Sequence, residues 1–208
     1  MMMRLPFPQP TRESPPMFES RFIDQFSRTH WSIVPILFVP AMLACFYLAI
    51  ARDHLGVAAM LATATLGALC WTLIEYWLHR MLFHWEPPGA FGARMHFVLH
   101  GVHHKWPRDR FRLVMPTAVS ISLFWVFLGL WLLLFGRYAY AFHAGFTAGY
   151  MFYDLCHYYM HHGHPRAEWI RQLRKHHMVH HSPMLEHEKK FGVSTTLWDH
   201  AFGTYAED

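Results

Sequence analysis

The stretch WSIVPILFVPAMLACFYLAIA, residues 31–51, is an uninterrupted apolar run. A second run, LGVAAMLATATLGALCWTLIEYW at residues 55–77, begins after a connection of only three residues. At 1.5 Å per residue, each run is long enough to cross about 30 Å of hydrocarbon. The sequence therefore predicts two membrane-spanning helices that form an antiparallel hairpin.

Two further apolar runs occupy residues 116–136 and 138–156, and they meet tightly around Gly136 and Arg137. They predict a second hairpin. The expected fold class is thus an all-α integral membrane protein with four transmembrane helices and a histidine-rich helical cap. Four spans place both termini on the same side of the membrane.

The composition agrees with a membrane protein, because 53% of the residues are hydrophobic and only 15% are charged. We expect residues 31–208 to form one membrane domain with a di-metal centre. Residues 1–30 lack the apolar core of a signal peptide. Within them, Phe18, Phe22, Ile23 and Phe26 share one helical stripe, which predicts a helix lying in the membrane interface.

The positions of the Lys and Arg residues predict how the chain is oriented in the membrane. Of the 18 Lys and Arg residues, only Arg52 and Arg137 fall in the two short hairpin loops. The excess of positive charge in cytoplasmic segments predicts that both termini, the middle polar segment and the active site are cytoplasmic. An anionic membrane surface explains the net charge of +4, so no nucleic-acid partner is expected.

Histidines recur in four clusters at or beyond the predicted cytoplasmic ends of the spans: HRMLFH at 79–84, HGVHH at 100–104, HYYMH at 157–161 and HMVHH at 177–181. Residues three and four apart share one helix face, so the histidines of each H-x-x-H-H motif can point at one centre. His79 and His84 are roughly 140° apart on an ideal helix. They meet at one centre only if the helix end unwinds, or they serve two ions.

Ten imidazoles so close together would repel one another if charged, and would each need hydrogen-bond partners if neutral and buried. A bound metal removes both problems. Ten ligands exceed the capacity of one ion, so two metals with about five imidazoles each are expected. The predicted ligands are His79, His84, His100, His103, His104, His157, His161, His177, His180 and His181.

Other metal chemistry is disfavoured. Cys45, Cys70 and Cys156 form no C-x-x-C pair, which argues against zinc-finger and iron–sulfur sites, and the H-E-x-x-H motif of zinc proteases does not occur. Paired histidines at span ends also suit bis-histidine haem ligation poorly. The ligands alone do not choose between iron and zinc, and a purified sample of such a protein can carry zinc.

These motifs, together with HHKWPRDRFRLVMP (103–116) and LWDHAFGT (197–204), resemble the membrane fatty acid hydroxylase/sterol desaturase superfamily, most closely its fatty acid 2-hydroxylases. The similarity runs from about residue 70 to residue 206. It implies the same ten ligands for two iron ions. It also implies a monooxygenase that uses O2 and two electrons to hydroxylate a fatty acyl chain at C2 in lipid metabolism, with the acyl lipid rising from the membrane.

Fungal and animal members of this superfamily resemble fusions to an N-terminal cytochrome b5-type domain. This chain begins too close to its first span to contain one. We therefore expect an external electron donor of cytochrome b5 type or ferredoxin type.

Residues around the clusters have predicted supporting roles. Asp154 and Asp199 are candidate acceptors that orient the imidazole rings, and Glu75 is a weaker one. Lys105, Arg108 and Arg112 are candidate contacts for the lipid head group, although anchoring to phosphate groups of the membrane is an equal alternative for each.

Three alternatives stay open at this point. Two are sister activities of the same superfamily, sterol desaturation and carotenoid-ring hydroxylation. The third is a non-enzymatic membrane protein that binds haem or stores metal.

Overall fold

The structure is a computed structural model that describes residues 14–182 and 189–206. Within these ranges every regular element is a helix and no strand occurs. Residues 1–13 of the predicted interfacial segment, and residues 183–188 and 207–208 of the predicted membrane domain, lie outside the described residues. The α-helices are α1 Arg21–Phe26, α2 Ile33–Ala51, α3 Val57–Trp77, α4 Gly89–His96, α5 Val102–Lys105, α6 Thr117–Phe135, α7 Ala139–His162, α8 Glu168–His180 and α9 Leu197–Ala201.

Two stretches of π-helix, with hydrogen bonds between residues five apart, occur in the histidine-rich regions. The first π segment, Leu78–Phe83, continues α3, and the second π segment, Phe97–Gly101, joins α4 to α5. Such segments are rare and are frequent at functional sites. Both lie beside predicted metal ligands.

Three stretches are long and apolar enough to cross a membrane: Ile33–Ala51, Val57–Phe83 and Thr117–His162. They coincide with the four predicted apolar runs, the last stretch containing both α6 and α7. A short 3₁₀ turn, Gly136–Tyr138, separates these two helices, and Gly136 has φ +52°. Glycine adopts this region of the backbone map without steric cost.

Helices α6 and α7 run antiparallel. Phe135 and Phe142 lie near the turn, and their ring centroids are 4.6 Å apart. Phe127 and Phe146 lie further from the turn on the two helices, and their ring centroids are 4.9 Å apart. Helix α7 also extends six residues beyond its predicted apolar run. This extension carries His157 and His161 past the apolar part of the helix to the histidine clusters.

Helix α7 is the central helix, because it packs against α2, α3 and α6 and contains more buried residues than any other described helix. Glycines allow it to approach α3 closely. A Cβ atom on Gly67 would lie 2.0 Å from the carbonyl oxygen of Phe142, and one on Gly145 would lie 1.8 Å from that of Ala64. Small residues at such crossings are typical of helix packing in membranes, where close backbone approach replaces the hydrophobic effect.

Helix α1 and the chain before it are held by an ion network. The buried guanidinium of Arg112 lies 3.0 Å from Asp24 in α1 and 3.2 Å from Asp109. Burial alone would raise the pKa of Asp24, but Arg28 and Arg112 lower it more, so its pKa lies below the ordinary value. The apolar side chains Phe22, Ile23 and Phe26 stay exposed, as expected for a helix in the membrane interface.

Candidate metal centre

All ten predicted histidines come together in two groups of five. The candidate ligand atoms of each group lie within 4.8 Å of one another. The first group contains His79, His84, His100, His104 and His180, and the second group contains His103, His157, His161, His177 and His181. Two groups of five match the expected division, and their role as ligands stays a prediction.

The second group is organised around His177. The Nε2 atom of His177 lies 2.9 Å from that of His157, 3.0 Å from that of His161 and 3.0 Å from that of His181. In a neutral imidazole, Nε2 has either one hydrogen or one lone pair, so it makes one good hydrogen bond. Three contacts at this distance to one nitrogen are therefore not explained by hydrogen bonding, whereas a common metal ion explains them.

The distances also fit a metal. Two nitrogens bound about 2.0–2.1 Å from one ion and 90° apart are about 3.0 Å from each other. His79 and His100 in the first group have Nε2 atoms 3.1 Å apart, and those of His84 and His180 are 2.9 Å apart. Each group thus has the spacing of imidazoles that occupy neighbouring positions around one ion.

Four of the candidate ligands, which lie outside the predicted spans, favour the neutral form. Burial lowers the pKa of His100, His103 and His177 well below the ordinary value, and neighbouring imidazoles lower it further because their positive charges would repel. The pKa of His181 is lowered for the same reasons. Neutral imidazole is the form that binds a metal, so the donors are ready for binding without loss of a proton.

The first π segment resolves the question of His79 and His84. The backbone N–H of His84 donates to the carbonyl of His79, five residues earlier, at 3.3 Å. This bond brings the two side chains to one side of the helix, and their ring centroids are 5.0 Å apart. Both histidines consequently belong to the first group.

The histidines of each H-x-x-H-H motif divide between the two groups. His100 and His104 lie in the first group and His103 in the second, while His180 lies in the first and His177 and His181 in the second. Adjacent residues on a helix point about 100° apart, so a single turn placed between two centres supplies both. Helices α5 and α8 therefore link the two groups.

Backbone carbonyls orient two rings of the first group. Nδ1 of His79 donates to the carbonyl of Phe191 at 2.5 Å, and Nδ1 of His180 donates to that of Lys189 at 2.7 Å. Each ring is thereby turned so that Nε2 faces the centre of the group. Such outer contacts fix the tautomer of a metal-binding histidine and raise its basicity.

Two buried carboxylates hold the segment that supplies these carbonyls. Asp199 accepts hydrogen bonds from the backbone N–H groups of Phe191 and Gly192, both at 2.8 Å. Glu75 accepts from the backbone N–H groups of Val193 at 2.8 Å and Ser194 at 2.7 Å, and from the Ser194 hydroxyl. These bonds explain why α3 tolerates an acidic residue so near its apolar part.

An apolar cavity of about 400 Å³ reaches both groups. His100 of the first group and His103 and His157 of the second contribute to its wall. At its other side the lining includes exposed apolar residues of α1, the first π segment and α6, which form an open mouth: Ile23, Phe26, Leu82 and Val119. The cavity therefore connects the outer apolar surface with the histidine groups.

Comparison with known proteins gives the family. A family model described as fatty acid hydroxylase matches residues 64–204. The dihydroceramide fatty acyl 2-hydroxylase FAH2 of Arabidopsis thaliana is 39% identical, over 92% of this chain and 80% of its own length. The fatty acid 2-hydroxylase of Rattus norvegicus is 37% identical, over 94% of this chain and 58% of its own.

A solved structure is similar over most of the chain. Full-length scs7p, in which only the hydroxylase domain is visible, has 35% sequence identity and a TM-score of 0.81, over 90% of this chain and 70% of that one. The ceramide very long chain fatty acid hydroxylase SCS7 of Saccharomyces cerevisiae is 37% identical, and the match covers 50% of its length.

The chain belongs to the fatty acid hydroxylase family. This confirms the resemblance found in the sequence and, with it, the class of enzyme, an oxidoreductase that hydroxylates lipid chains. The chain spans 58% of the rat relative and 50% of the yeast relative. In this fatty acid hydroxylase, the histidine groups and the cavity are the parts able to act on a lipid chain.

The two carboxylates predicted to orient the imidazole rings, Asp154 and Asp199, have different surroundings in this family member. Asp199 accepts a hydrogen bond from Nε2 of His176 at 2.9 Å, next to the ligand candidate His177, and it holds the carbonyl-bearing segment. Asp154 lines the cavity, and its carboxylate accepts from the backbone N–H of Met115 at 3.3 Å. The backbone carbonyls of Lys189 and Phe191 carried no sequence signal, because any residue type supplies a carbonyl.

The three residues predicted to contact the lipid head group differ in exposure. Lys105 and Arg108 are exposed, and the Lys105 ammonium lies 4.7 Å from the centroid of the Trp106 ring. Arg112 lines the cavity but is buried between Asp24 and Asp109. Its contacts thus favour a role in fixing α1 beside the mouth of the cavity over direct binding of a lipid head group.

Proposed function

We propose that this chain inserts one oxygen atom of O2 at C2 of a fatty acyl chain. The balanced reaction consumes O2, two electrons and two protons, converts the C–H bond to C–OH and releases one water. The observation that carries the proposal is the apolar cavity, which opens beside α1 and reaches both histidine groups. The names of the plant and rat relatives, which act at the 2-position, support the choice of carbon.

The cavity wall explains how an acyl chain is placed. Side chains such as Phe83, Leu113 and Leu123 line it, so an acyl chain leaves the bilayer without exposing its methylenes to water. C2 is the second carbon of the chain and lies next to the polar head. Oxidation at this position requires the head to stay close to the histidine groups while the tail extends along the cavity.

The head group then lies near the cations at the end of α5. We assign Lys105 and Arg108 to contacts with polar oxygens of the head, because both are exposed and lie within four residues of His104. Whether the head is a free carboxylate, a thioester or the amide of a ceramide changes the charge that these residues meet. Replacing both with Ala is expected to raise KM more than it lowers kcat.

The ten histidines are proposed to hold two iron ions, five imidazoles each. When bound, the iron supplies the activation of O2, with electrons from an external donor of cytochrome b5 or ferredoxin type. The chain's own residues hold the imidazoles neutral, aim each Nε2 atom and exclude water. Loss of the Phe191 or Lys189 contacts turns a ring away from its group.

We propose four membrane crossings, α2, α3, α6 and α7, with the histidine groups on the cytoplasmic side. The antiparallel arrangement of α6 and α7 and their lengths of 19 and 24 residues, about 28 and 36 Å, support two crossings in the third apolar stretch. The distribution of Lys and Arg supports the orientation. Residues 31–208 then form a single membrane domain.

The decisive experiment is expression in a host whose lipids contain no 2-hydroxy fatty acids. Mass spectrometry of hydrolysed total lipid is expected to show 2-hydroxy acids that carry ¹⁸O from ¹⁸O2 and none from labelled water. His180→Ala and His103→Ala, one from each group, should both abolish the product. His30→Ala, which removes an exposed imidazole outside both groups, is the matched control and should retain it.

The same lipid extracts and the purified protein test the alternative functions. Altered sterols or hydroxylated carotenoids without 2-hydroxy acids would assign a sister activity. If no lipid product forms and the purified protein shows a Soret band or stored metal, the proposed enzymatic activity is contradicted. About two iron ions per chain with O2-dependent product supports the proposal.

A further inference from the structure

A small chamber lies beyond the main cavity, deeper among the membrane helices. Its volume is about 30 Å³, and its wall shares Leu78, Met115, Leu123 and Phe127 with that of the main cavity. These four side chains form a partition between the two spaces. The chamber thus continues the path that an acyl tail follows away from the histidine groups.

The far wall of the chamber contains a histidine outside both metal groups. His143 is 1% exposed, and neither of its ring nitrogens has a hydrogen-bond partner among the described residues. Its ring lies against Phe124, with centroids 4.4 Å apart. Ser120, Thr147 and Tyr150 also line the chamber, so a few polar groups occur in a wall that is otherwise apolar.

An unpartnered imidazole in an apolar interior is unfavourable unless a ligand or water bonds to it. A chamber of this volume exceeds the roughly 10–15 Å³ that one water needs, and it accepts a hydroxyl group equally well. A methyl group, in contrast, offers no hydrogen bond and displaces whatever does. The chamber is therefore built to distinguish a polar chain end from an apolar one.

The position matches a chain end and not the reacting carbon. His143 precedes His157 by 14 residues on α7, which is about 21 Å along the helix. An acyl chain with C2 at the histidine groups reaches the partition with its middle and the chamber with its tail. Short chains end before the partition and never meet His143.

We propose that the chamber is a selectivity site for the tail of the acyl chain, where His143 favours a terminal hydroxyl over a terminal methyl. The inference rests on the proposed hydroxylation at C2, because it assumes that the chain lies in the main cavity. Plain chains long enough to cross the partition are disfavoured. A hydroxyl at the end of the same chain restores their use.

The test compares matched pairs of substrates in cells that express the full chain. Saturated fatty acids of increasing length are supplied, each in two forms, one ending in a methyl group and one in a hydroxyl group. The 2-hydroxylated products are quantified by mass spectrometry. The ratio of the two products is followed against chain length in each variant, and comparison of the variants at equal length cancels differences in uptake between substrates.

In the natural chain, the ratio of hydroxyl-ended to methyl-ended product should rise by about threefold to tenfold beyond a threshold length, as expected for one hydrogen bond. His143→Leu should abolish this rise and extend turnover of plain chains to greater length. His143→Asn keeps a donor and an acceptor and should retain part of the preference. Phe127→Leu, which thins the partition, should lower the threshold length while the preference persists.

The outcomes separate this inference from the proposed function. Equal ratios in the natural chain and His143→Leu at every length, with 2-hydroxy product present, would overturn the role of the chamber and leave the activity standing. Absence of 2-hydroxy product from every chain length in the natural chain would overturn both. The metal content of each variant, expected at the natural value, confirms that His143→Leu folds.

Discussion

The two histidine groups have the same number of imidazoles but are built differently. The first group depends on both π segments and on the carbonyls of Lys189 and Phe191. The second takes three of its five members from α7 and α8, a fourth from the residue directly after α8, and the fifth from α5. His84 and His104 of the first group are half-buried, whereas only His181 is half-buried in the second.

This difference teaches which parts of the chain each group needs. The second group requires that α7 and α8 form and pack, which the buried faces of these helices ensure. The first group additionally requires a correct backbone path after α8, because Asp199 and Glu75 must hold the segment that orients His79. We expect the first group to be the more sensitive to changes outside the histidines themselves.

The largest effect is expected at His177, where three neighbouring Nε2 atoms converge. His177→Ala should remove one metal ion per chain and lower the 2-hydroxy product roughly 100-fold or more, since changing even an outer partner of a metal ligand costs roughly 10–100-fold. Metal analysis of the purified protein and lipid mass spectrometry measure both. Two retained ions with unchanged product would refute the position of the second group.

The next effect comes from Asp199. Asp199→Ala frees the backbone N–H groups of Phe191 and Gly192 and so loosens the carbonyl that orients His79. Activity should fall about 10–100-fold, with metal lost from the first group before the second. Glu168→Gln, which changes an exposed carboxylate paired with Arg171, is the matched control and should behave like the natural chain.

Equal loss of both ions from Asp199→Ala would show that the two groups depend on this segment alike. The first group would then be no more sensitive to this segment than the second. Loss of one ion only, with both ions retained in the control, would support the difference between the groups.

A smaller effect is expected from shortening the first π segment. Removing the exposed residue Met81 places His79 and His84 four residues apart, the spacing that an ordinary α-helix aligns. We expect this deletion to retain measurable product and both ions, with activity reduced severalfold by the shift of the following loop. Removing Met178 from α8 rotates His180 and His181 by about 100° relative to His177 and should abolish activity.

The Met81 deletion thus asks whether the π turn is needed for itself or only for the direction of two side chains. A complete loss of product with folded protein would show that the segment does more than align them. Near-natural metal content would show that alignment is its role in the first group.

The helices were largely predictable because apolar runs of about 20 residues have one stable form in a bilayer. The predicted run 31–51 became α2 at 33–51, and the run 116–136 became α6 at 117–135. The predicted run 138–156 ended too early. Apolar character stops near Cys156, but α7 continues because its later polar residues include histidines buried at the candidate metal centre.

The sequence predicted which histidines form the candidate metal centre, but not how they divide into two groups. Clustering in four short motifs identified the ten histidines, but spacing alone did not show that neighbouring residues such as His103 and His104 point at different groups. The alignment of His79 with His84 depends on a π turn, which has no clear signature in the residues themselves. The role of Arg112 depended on Asp24, a partner 88 residues away.

The smallest effect concerns the ion network of α1, which is remote from both groups. The pKa of Asp24 is lowered in the folded chain, so its carboxylate stabilises the fold fully above its unfolded value of 3.8 and loses this contribution as the pH falls through the folded pKa. The midpoint temperature of thermal unfolding of the purified protein should therefore fall as the pH is lowered below 3.8. Asp24→Asn should flatten this dependence.

At pH 7, the same variant should lose on the order of 2 kcal/mol, because hydrogen bonds to charged groups each contribute about 1.5–3 kcal/mol. Both ions should remain bound, since Arg112 and α1 contact neither group of imidazoles directly. Turnover should change only through α1 at the mouth of the cavity, as a higher KM. Loss of one ion from Asp24→Asn would instead extend the dependence of the first group as far as α1.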